Sequence, residues 1–191
     1  MAGRRSDTRE RIQEVALDLF VEQGYEKTSL REIAERLEVT KAALYYHFRT
    51  KEDIVHSLFE DIAKGVDEVL TWAREQPQPA SREMMVKRIA GLVEGKLVRV
   101  WRFVQENQPT LKELHVANPL MERMKELFGI LSAGEKEPEM LLKTRLALVA
   151  LIMGNNPEVL PDSDPDERAD VGLRVALELV SPRGREVESG T

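Results

Sequence analysis

The chain has 191 residues, of which 42% are hydrophobic, with a net charge of −6 and no cysteine. That length fits one compact domain or two small ones, and the lack of cysteine excludes disulfides, thiolate catalysis and cysteine-ligated metals. No apolar run approaches the roughly 20 residues of a membrane-spanning helix, and the opening MAGRRSDTRER has no apolar signal core, so a cytoplasmic location is expected.

Charge is distributed unevenly. Residues 1–51 hold 10 Lys/Arg against 9 Asp/Glu, whereas the other 140 hold 18 against 25. Acid is therefore concentrated away from the N-terminal segment, and the distribution, more than the total, governs long-range steering. Arg4 and Arg5 are expected on an arm ahead of the first helix, where they either enter a minor groove or stay solvated.

A first helix is predicted from Asp7 to Gln23. Its apolar stripe is Ile12, Val15, Ala16, Leu19 and Phe20, and Gly24 closes it. Thr28 or Ser29 then caps a second helix. Glu32 lies three residues after Ser29, the spacing of a capping box, and Leu30, Ile33, Ala34 and Leu37 form one apolar face. The pattern breaks at Glu38-Val39, and Thr40 caps a third helix from Lys41 to Phe48.

In that third helix Ala43, Leu44 and Phe48 can pack inward, which leaves Thr40, Lys41, Ala42, Tyr45, Tyr46 and His47 outward. A structural helix seldom leaves so many aromatic and donor groups outside. Thr40 and Lys41 can donate to base edges or phosphates, and Ala42 is small enough to approach a thymine methyl. Tyr45, Tyr46, His47 and Lys51 can bond phosphate oxygens, which set register without reading sequence. The alternative is a helical hairpin whose tyrosines are half-buried core.

The segment from Thr8 to Phe59 resembles the DNA-binding domain of the TetR family of bacterial transcriptional regulators. The likeness rests on Ile12 through Phe20, Gly24-Tyr25, Thr28 through Ala34, Val39-Thr40-Lys41, Leu44 through Phe48, and Lys51-Glu52. It implies an all-α chain of about nine helices. A helix-turn-helix domain would occupy residues 5–65, with its recognition unit at 28–48. A ligand-binding and dimerisation domain would occupy 66–182, with a disordered tail at 183–191. It also implies DNA contacts from Thr28, Ser29, Arg31, Thr40, Lys41, Ala42, Tyr45, Tyr46, His47 and Lys51. The chain departs from the family at Glu38, where glycine is common. A left-handed backbone there costs a non-glycine residue roughly 1 kcal/mol or more.

A fourth helix is predicted from Lys51 to Glu75, with Ile54, Leu58, Ile62, Val66, Val69 and Leu70 inward and Pro77 and Pro79 beyond its end. Ser81 caps an amphipathic stretch to Gln108 that Gly91 and Gly95 bend or split. Thr110–His115 is a short helix or turn. Asn118-Pro119 starts another helix, with Leu120, Met124, Leu127, Phe128 and Leu131 on its stripe. Residues 139–155 are the most apolar segment, and the last helix runs from Ser163 or Asp164 to Val180.

In the penultimate helix Leu142, Leu146, Val149, Ala150 and Met153 form one stripe, while Leu148, Leu151 and Ile152 leave apolar groups elsewhere on the circumference. A helix apolar on most sides is deep core or also faces a partner. The last helix repeats this with Leu173, Leu177 and Val180 on a second side. The resemblance implies that both helices join a four-helix bundle across a two-fold axis, so Leu148, Leu151, Ile152, Leu173, Leu177 and Val180 are the expected homodimer interface.

Trp72, Met85, Ile89, Trp101, Phe103, Met121, Met124 and Phe128 are candidates for a pocket open to an apolar effector, since methionines and aromatics line adaptable cavities. Ordinary core packing explains any one of them alone. No phosphate-cradling glycine loop, nucleophile elbow or metal-ligand spacing occurs, so no catalytic residue, cofactor or metal is expected. Three functions remain: a ligand-responsive repressor binding double-stranded operator DNA, a helical scaffolding protein without DNA readout, and an enzyme using the Met-rich cavity. The outward groups of the third helix favour the first.

Overall fold

The computed structural model describes residues 2–76, 81–93, 96–114, 118–132 and 134–181. The loop at Pro77 and Pro79, Gly95, His115 and the expected tail at 183–191 lie outside them. Ten helices occur among the described residues: α1 (Ala2–Gln23), α2 (Leu30–Arg36), α3 (Lys41–His47), α4 (Lys51–Glu75), α5 (Arg82–Ala90), α6 (Lys96–Glu106), α7 (Gln108–Leu114), α8 (Asn118–Leu131), α9 (Pro138–Gly154) and α10 (Pro165–Val180). The all-α expectation holds. The first helix starts earlier than expected, so the positions of Arg4 and Arg5 fall within α1 and not on an arm ahead of it.

The caps follow the sequence closely. Ser29, Thr40, Ser81 and Asp164 each accept a backbone N–H of the first turn that follows. Gly24 ends α1 at φ +92, a conformation that favours glycine, and its N–H donates to the Phe20 carbonyl at 3.1 Å. The long stretch after Ser81 is split at Gly91 into α5 and α6.

The chain divides into two compact units. Residues 1–68 and 94–126 form one, and residues 69–93 and 127–191 the other. This differs from the expected single boundary near residue 65, because residues 94–126 fold with the N-terminal segment. The reason is visible in the core of the first unit. Ile12, Leu17 and Phe20 of α1 pack with Ile33 of α2, Leu44 of α3 and Ile54 and Leu58 of α4, and this same core takes in Val100 and Phe103 of α6 and Leu111 of α7. The Phe20 and Phe103 rings stack at 5.4 Å, and Tyr25 meets Phe20 edge-on at 5.1 Å. Each large side chain buried this way contributes about 1.5–3 kcal/mol.

Polar fastenings set the register of these helices. Gln13 of α1 is fully buried, and its Nε2 donates to Ser57 Oγ at 2.7 Å and to Asp61 Oδ2 at 2.8 Å, both on α4. Arg99 of α6 reaches Asp18 of α1 at 2.7 Å, and Arg123 of α8 makes two 2.8 Å bonds to Asp67 of α4. A buried amide left without partners would cost about 1–3 kcal/mol, so the Gln13 network selects one α1–α4 alignment.

In the second unit α9 and α10 pack along their lengths, and α5 packs against both. The α9–α10 crossing is made backbone to backbone. A Cβ on Gly154 would lie 2.3 Å from the Gly172 Cα, closer than any real contact. Buried Thr144 satisfies its hydroxyl by donating to the Met140 carbonyl at 2.8 Å. Arg82 of α5 donates to the Leu131 carbonyl at 3.1 Å and to Glu135 at 2.9 Å.

Candidate nucleic-acid interface

The site is built on α2, the turn after it, and α3. The Ser29 capping box is complete. The Ser29 N–H and hydroxyl donate to Glu32 Oε2 at 2.7 and 2.8 Å, and the Glu32 N–H returns to Ser29 Oγ at 3.3 Å. The Ser29 hydroxyl, followed by its amide, holds the Glu32 carboxyl below its ordinary range. Arg36 ties α2 to Glu22 of α1 at 2.7 Å. The turn then passes through Glu38 at φ 55, the one non-glycine residue with positive φ among the described residues. The backbone conformation anticipated from the glycine departure is therefore present.

That turn presents α3. Leu44 is its buried anchor and Phe48 is buried just after it. Thr40 caps the helix through its Oγ1, which accepts the Ala43 N–H at 3.2 Å, and Thr40, Lys41, Ala42 and Ala43 are all exposed. Tyr46 is 67% exposed and Tyr45 41%, unusual values for such large side chains. The Lys41 ammonium lies 5.4 Å from the Tyr45 ring centre, and the Tyr46 and His47 rings meet edge-on at 5.3 Å. Six of the expected contact residues thus share one short, solvent-facing helix and its cap. Ala43, expected inward, faces solvent with them.

Four expected contacts are placed elsewhere or already engaged. Thr28 is buried, its hydroxyl 2.9 Å from the Gly24 carbonyl and 3.3 Å from that of Leu19, because it closes the α1–α2 turn. Ser29 is engaged in its cap. Arg31 is exposed and paired with Glu35 one turn on, at 2.7 Å. The Lys51 ammonium donates to the Tyr25 carbonyl at 2.9 Å and sits 4.1 Å from the Tyr25 ring centre. The Tyr25 hydroxyl in turn donates to Glu52 at 2.8 Å. Burial, then the Glu52 carboxylate, pushes the Tyr25 phenol well above its ordinary value, so it stays a donor. Burial opposes ionisation of Glu52, but bonds from its own amide and from Tyr25 outweigh that and hold its carboxyl below the ordinary range.

A family model described as bacterial regulatory proteins, tetR family, matches residues 12–58, the span that carries this geometry. By that match the helix-turn-helix segment is of TetR type. It is 41% identical over 63 residues to the HTH-type transcriptional regulator AcrR of Shigella flexneri, a match covering 33% of this chain and 29% of that protein. It is 25% identical over 148 residues to the HTH-type transcriptional repressor BepR of Brucella suis biovar 1, covering 71% of this chain and 69% of the relative. The solved structure of the TetR family transcriptional regulator PfmR from Thermus thermophilus overlays 92% of this chain and 98% of its own, with a TM-score of 0.61 at 24% identity. The strong sequence likeness is thus confined to the helix-turn-helix segment, and the full-length likeness is one of TetR fold.

Outside this segment the expected sites are redistributed. Of the pocket candidates, Trp101, Phe103, Met121 and Met124 belong to the first unit and Trp72, Met85, Ile89 and Phe128 to the second. Phe103 is committed to the aromatic core with Phe20 and Tyr25, and Met85 is fully buried. Met121 is 63% exposed. Trp72 lies under the Arg88 guanidinium at 5.8 Å, and Phe128 under that of Arg145 at 5.9 Å. Of the expected interface, Leu148, Leu151 and Val180 are already buried within one chain, because that side of α9 is the one that meets α10. Ile152, Leu173 and Leu177 are half-buried. The exposed apolar face of this pair is instead Leu142, Leu146, Val149 and Val175.

Proposed function

We propose that this chain is a TetR-family transcriptional repressor that binds a pseudo-palindromic operator as a homodimer and is released by a small apolar or amphipathic effector. The observation that carries the reading is the set on α3 and its cap: exposed Thr40, Lys41, Ala42, Tyr45 and Tyr46, with half-buried His47 beside them. Thr40, Lys41 and Ala42 read base edges, while Tyr45, Tyr46 and His47 bond phosphates. A scaffolding helix would gain nothing from leaving two tyrosines in water.

The dimer reading rests on Leu142, Leu146 and Val149, which follow one another at four- and three-residue steps along α9, with Val175 on α10. An exposed apolar stripe on paired helices is what an isologous interface buries. The effector reading rests on the two-unit division and on α4, which belongs to the first unit through residue 68 and to the second from residue 69. A ligand acting on the second segment of α4 would act on the helix that follows α3 in the chain. It must prefer the released state, since equal affinity for both states shifts nothing. As a DNA-binding regulator the protein works in the bacterial cytoplasm, at the nucleoid when bound.

Binding to DNA fragments from upstream of its own gene, compared with random duplex at physiological salt, tests the reading. Tighter binding to one fragment, reversed by a compound that also raises the melting temperature, is the expected result. Equal affinity for every fragment contradicts it. A compound that raises the melting temperature and leaves operator affinity unchanged contradicts the effector half for that compound.

A further inference from the structure

We propose that Glu35 limits sequence-independent DNA binding by neutralising Arg31, an exposed cation that α2 presents to the duplex. The inference rests on the DNA-binding reading above and names a residue that sets how strongly the site holds any duplex, whatever its sequence.

The charge around α2 has the wrong sign for a surface that grips a phosphate backbone. Residues 22–38 hold five Glu against three Lys/Arg. Two of those cations are closely paired. Arg31 Nε meets Glu35 Oε1 at 2.7 Å, and Arg36 Nη2 meets Glu22 Oε2 at 2.7 Å. The pairs differ in what they join. Arg36–Glu22 ties α2 to α1 and so fastens two helices. Arg31 and Glu35 lie one turn apart on the same helix, with side chains 77% and 60% exposed.

Stability gives little reason for the second pair. Arg31 is in the first turn of α2 and Glu35 in the last, so each charge opposes the helix dipole. For charges four residues apart, the cation-first order is also the weaker one. An exposed pair of this kind adds little to folding. Its position suggests a different use. In a helix-turn-helix the first helix crosses the phosphate backbone while the second enters the groove. Any contact that Arg31 makes with the duplex brings the Glu35 carboxylate with it. The contact then adds almost no net positive charge and releases few counterions. Lys41 of α3 is placed otherwise, over the Tyr45 ring at 5.4 Å from its centre. Glu35 thus takes affinity from every sequence alike and leaves the choice of sequence to the base contacts of α3.

The test uses the full chain and a fluorescently labelled duplex of random sequence, so no operator is needed. The dissociation constant is measured across a salt series for wild type, Glu35→Gln, Glu35→Asp, Arg31→Ala and the double variant Glu35→Gln/Arg31→Ala. Glu35→Gln is expected to bind several-fold tighter and to steepen the slope of log affinity against log salt by about one for each bound chain. Its melting temperature should be unchanged. Glu35→Asp keeps the carboxylate and should keep the wild-type slope. Arg31→Ala alone should weaken binding only slightly, and in the double variant the gain should vanish. A wild-type slope in Glu35→Gln overturns the assignment. So does a gain that persists without Arg31, which would mean that the carboxylate repels DNA directly and not through its partner. A wild-type chain with no salt-dependent binding overturns the DNA-binding reading itself, an outcome distinct from either.

Discussion

Glu38 is where a single residue pays most visibly for its position. At φ 55 a side chain crowds its own backbone, and glycine does not. Glu38→Gly is therefore expected to stabilise the chain by roughly 1 kcal/mol, less the extra entropy of an unfolded glycine. Urea denaturation measures this, and a variant destabilised by that amount would mean the turn is relaxed as it stands. A second prediction concerns acid. Glu32 and Glu135 have carboxyls held below their ordinary range, Glu32 by Ser29 and Glu135 by the amides of Glu137 and Lys136 and then by Arg82. A depressed folded value means the stabilisation is complete above the unfolded carboxyl value of about 4.3 and is lost as pH falls through the folded value. The melting temperature should drop below that pH, and Glu32→Gln should make the drop shallower. A variant with the same acid profile as wild type would contradict the role given to the capping box. At this scale the sequence is legible where chemistry is local. Ser29, Thr40 and Glu38 act within three residues of themselves. Thr28 and Lys51 were not legible, because each bonds a carbonyl whose position depends on how the chain returns in space.

Among the elements, helix identity and caps follow from periodicity, but the inward face of α9 does not. Its residues are apolar on most sides, so two stripes compete and the pattern alone cannot rank them. The deciding feature is the Gly154–Gly172 approach, which brings α9 and α10 close enough to bury Leu148 and Leu151. Two arginine substitutions separate the faces. Leu146→Arg should yield a folded monomer by sedimentation, because its site is exposed in one chain. Leu148→Arg should instead unfold the chain, since an unpaired buried charge costs several kcal/mol. Folded, unchanged dimers of Leu146→Arg would remove the proposed interface. Helix α6 offers a further check. Phe103 stacks on Phe20 inside the core of the DNA-binding segment. Phe103→Ala should therefore destabilise by roughly 3–5 kcal/mol, and calorimetry should show the loss in the transition that also abolishes DNA binding. A loss confined to a separate transition would show that α6 folds apart from α1. Its aromatic residues resembled pocket lining in sequence because a cavity wall and a core use the same side chains.

For the whole molecule, the modest positive balance of residues 1–51 and the acid of the remainder leave a surface that cannot bind DNA by bulk charge alone. On the proposed reading, recognition comes from the few groups on α3 and its flanks, positioned by a core that includes part of the chain well beyond the matched family segment. Specific readout by that short helix is the central claim. Its most direct test is selection of bound duplexes from a pool with a randomised centre, carried out at physiological salt. Enrichment of an inverted repeat is predicted, with half-sites about one helical turn apart or a multiple of it, and with the preference altered in Thr40→Ala or Lys41→Ala. A pool that emerges with no enriched sequence would contradict it.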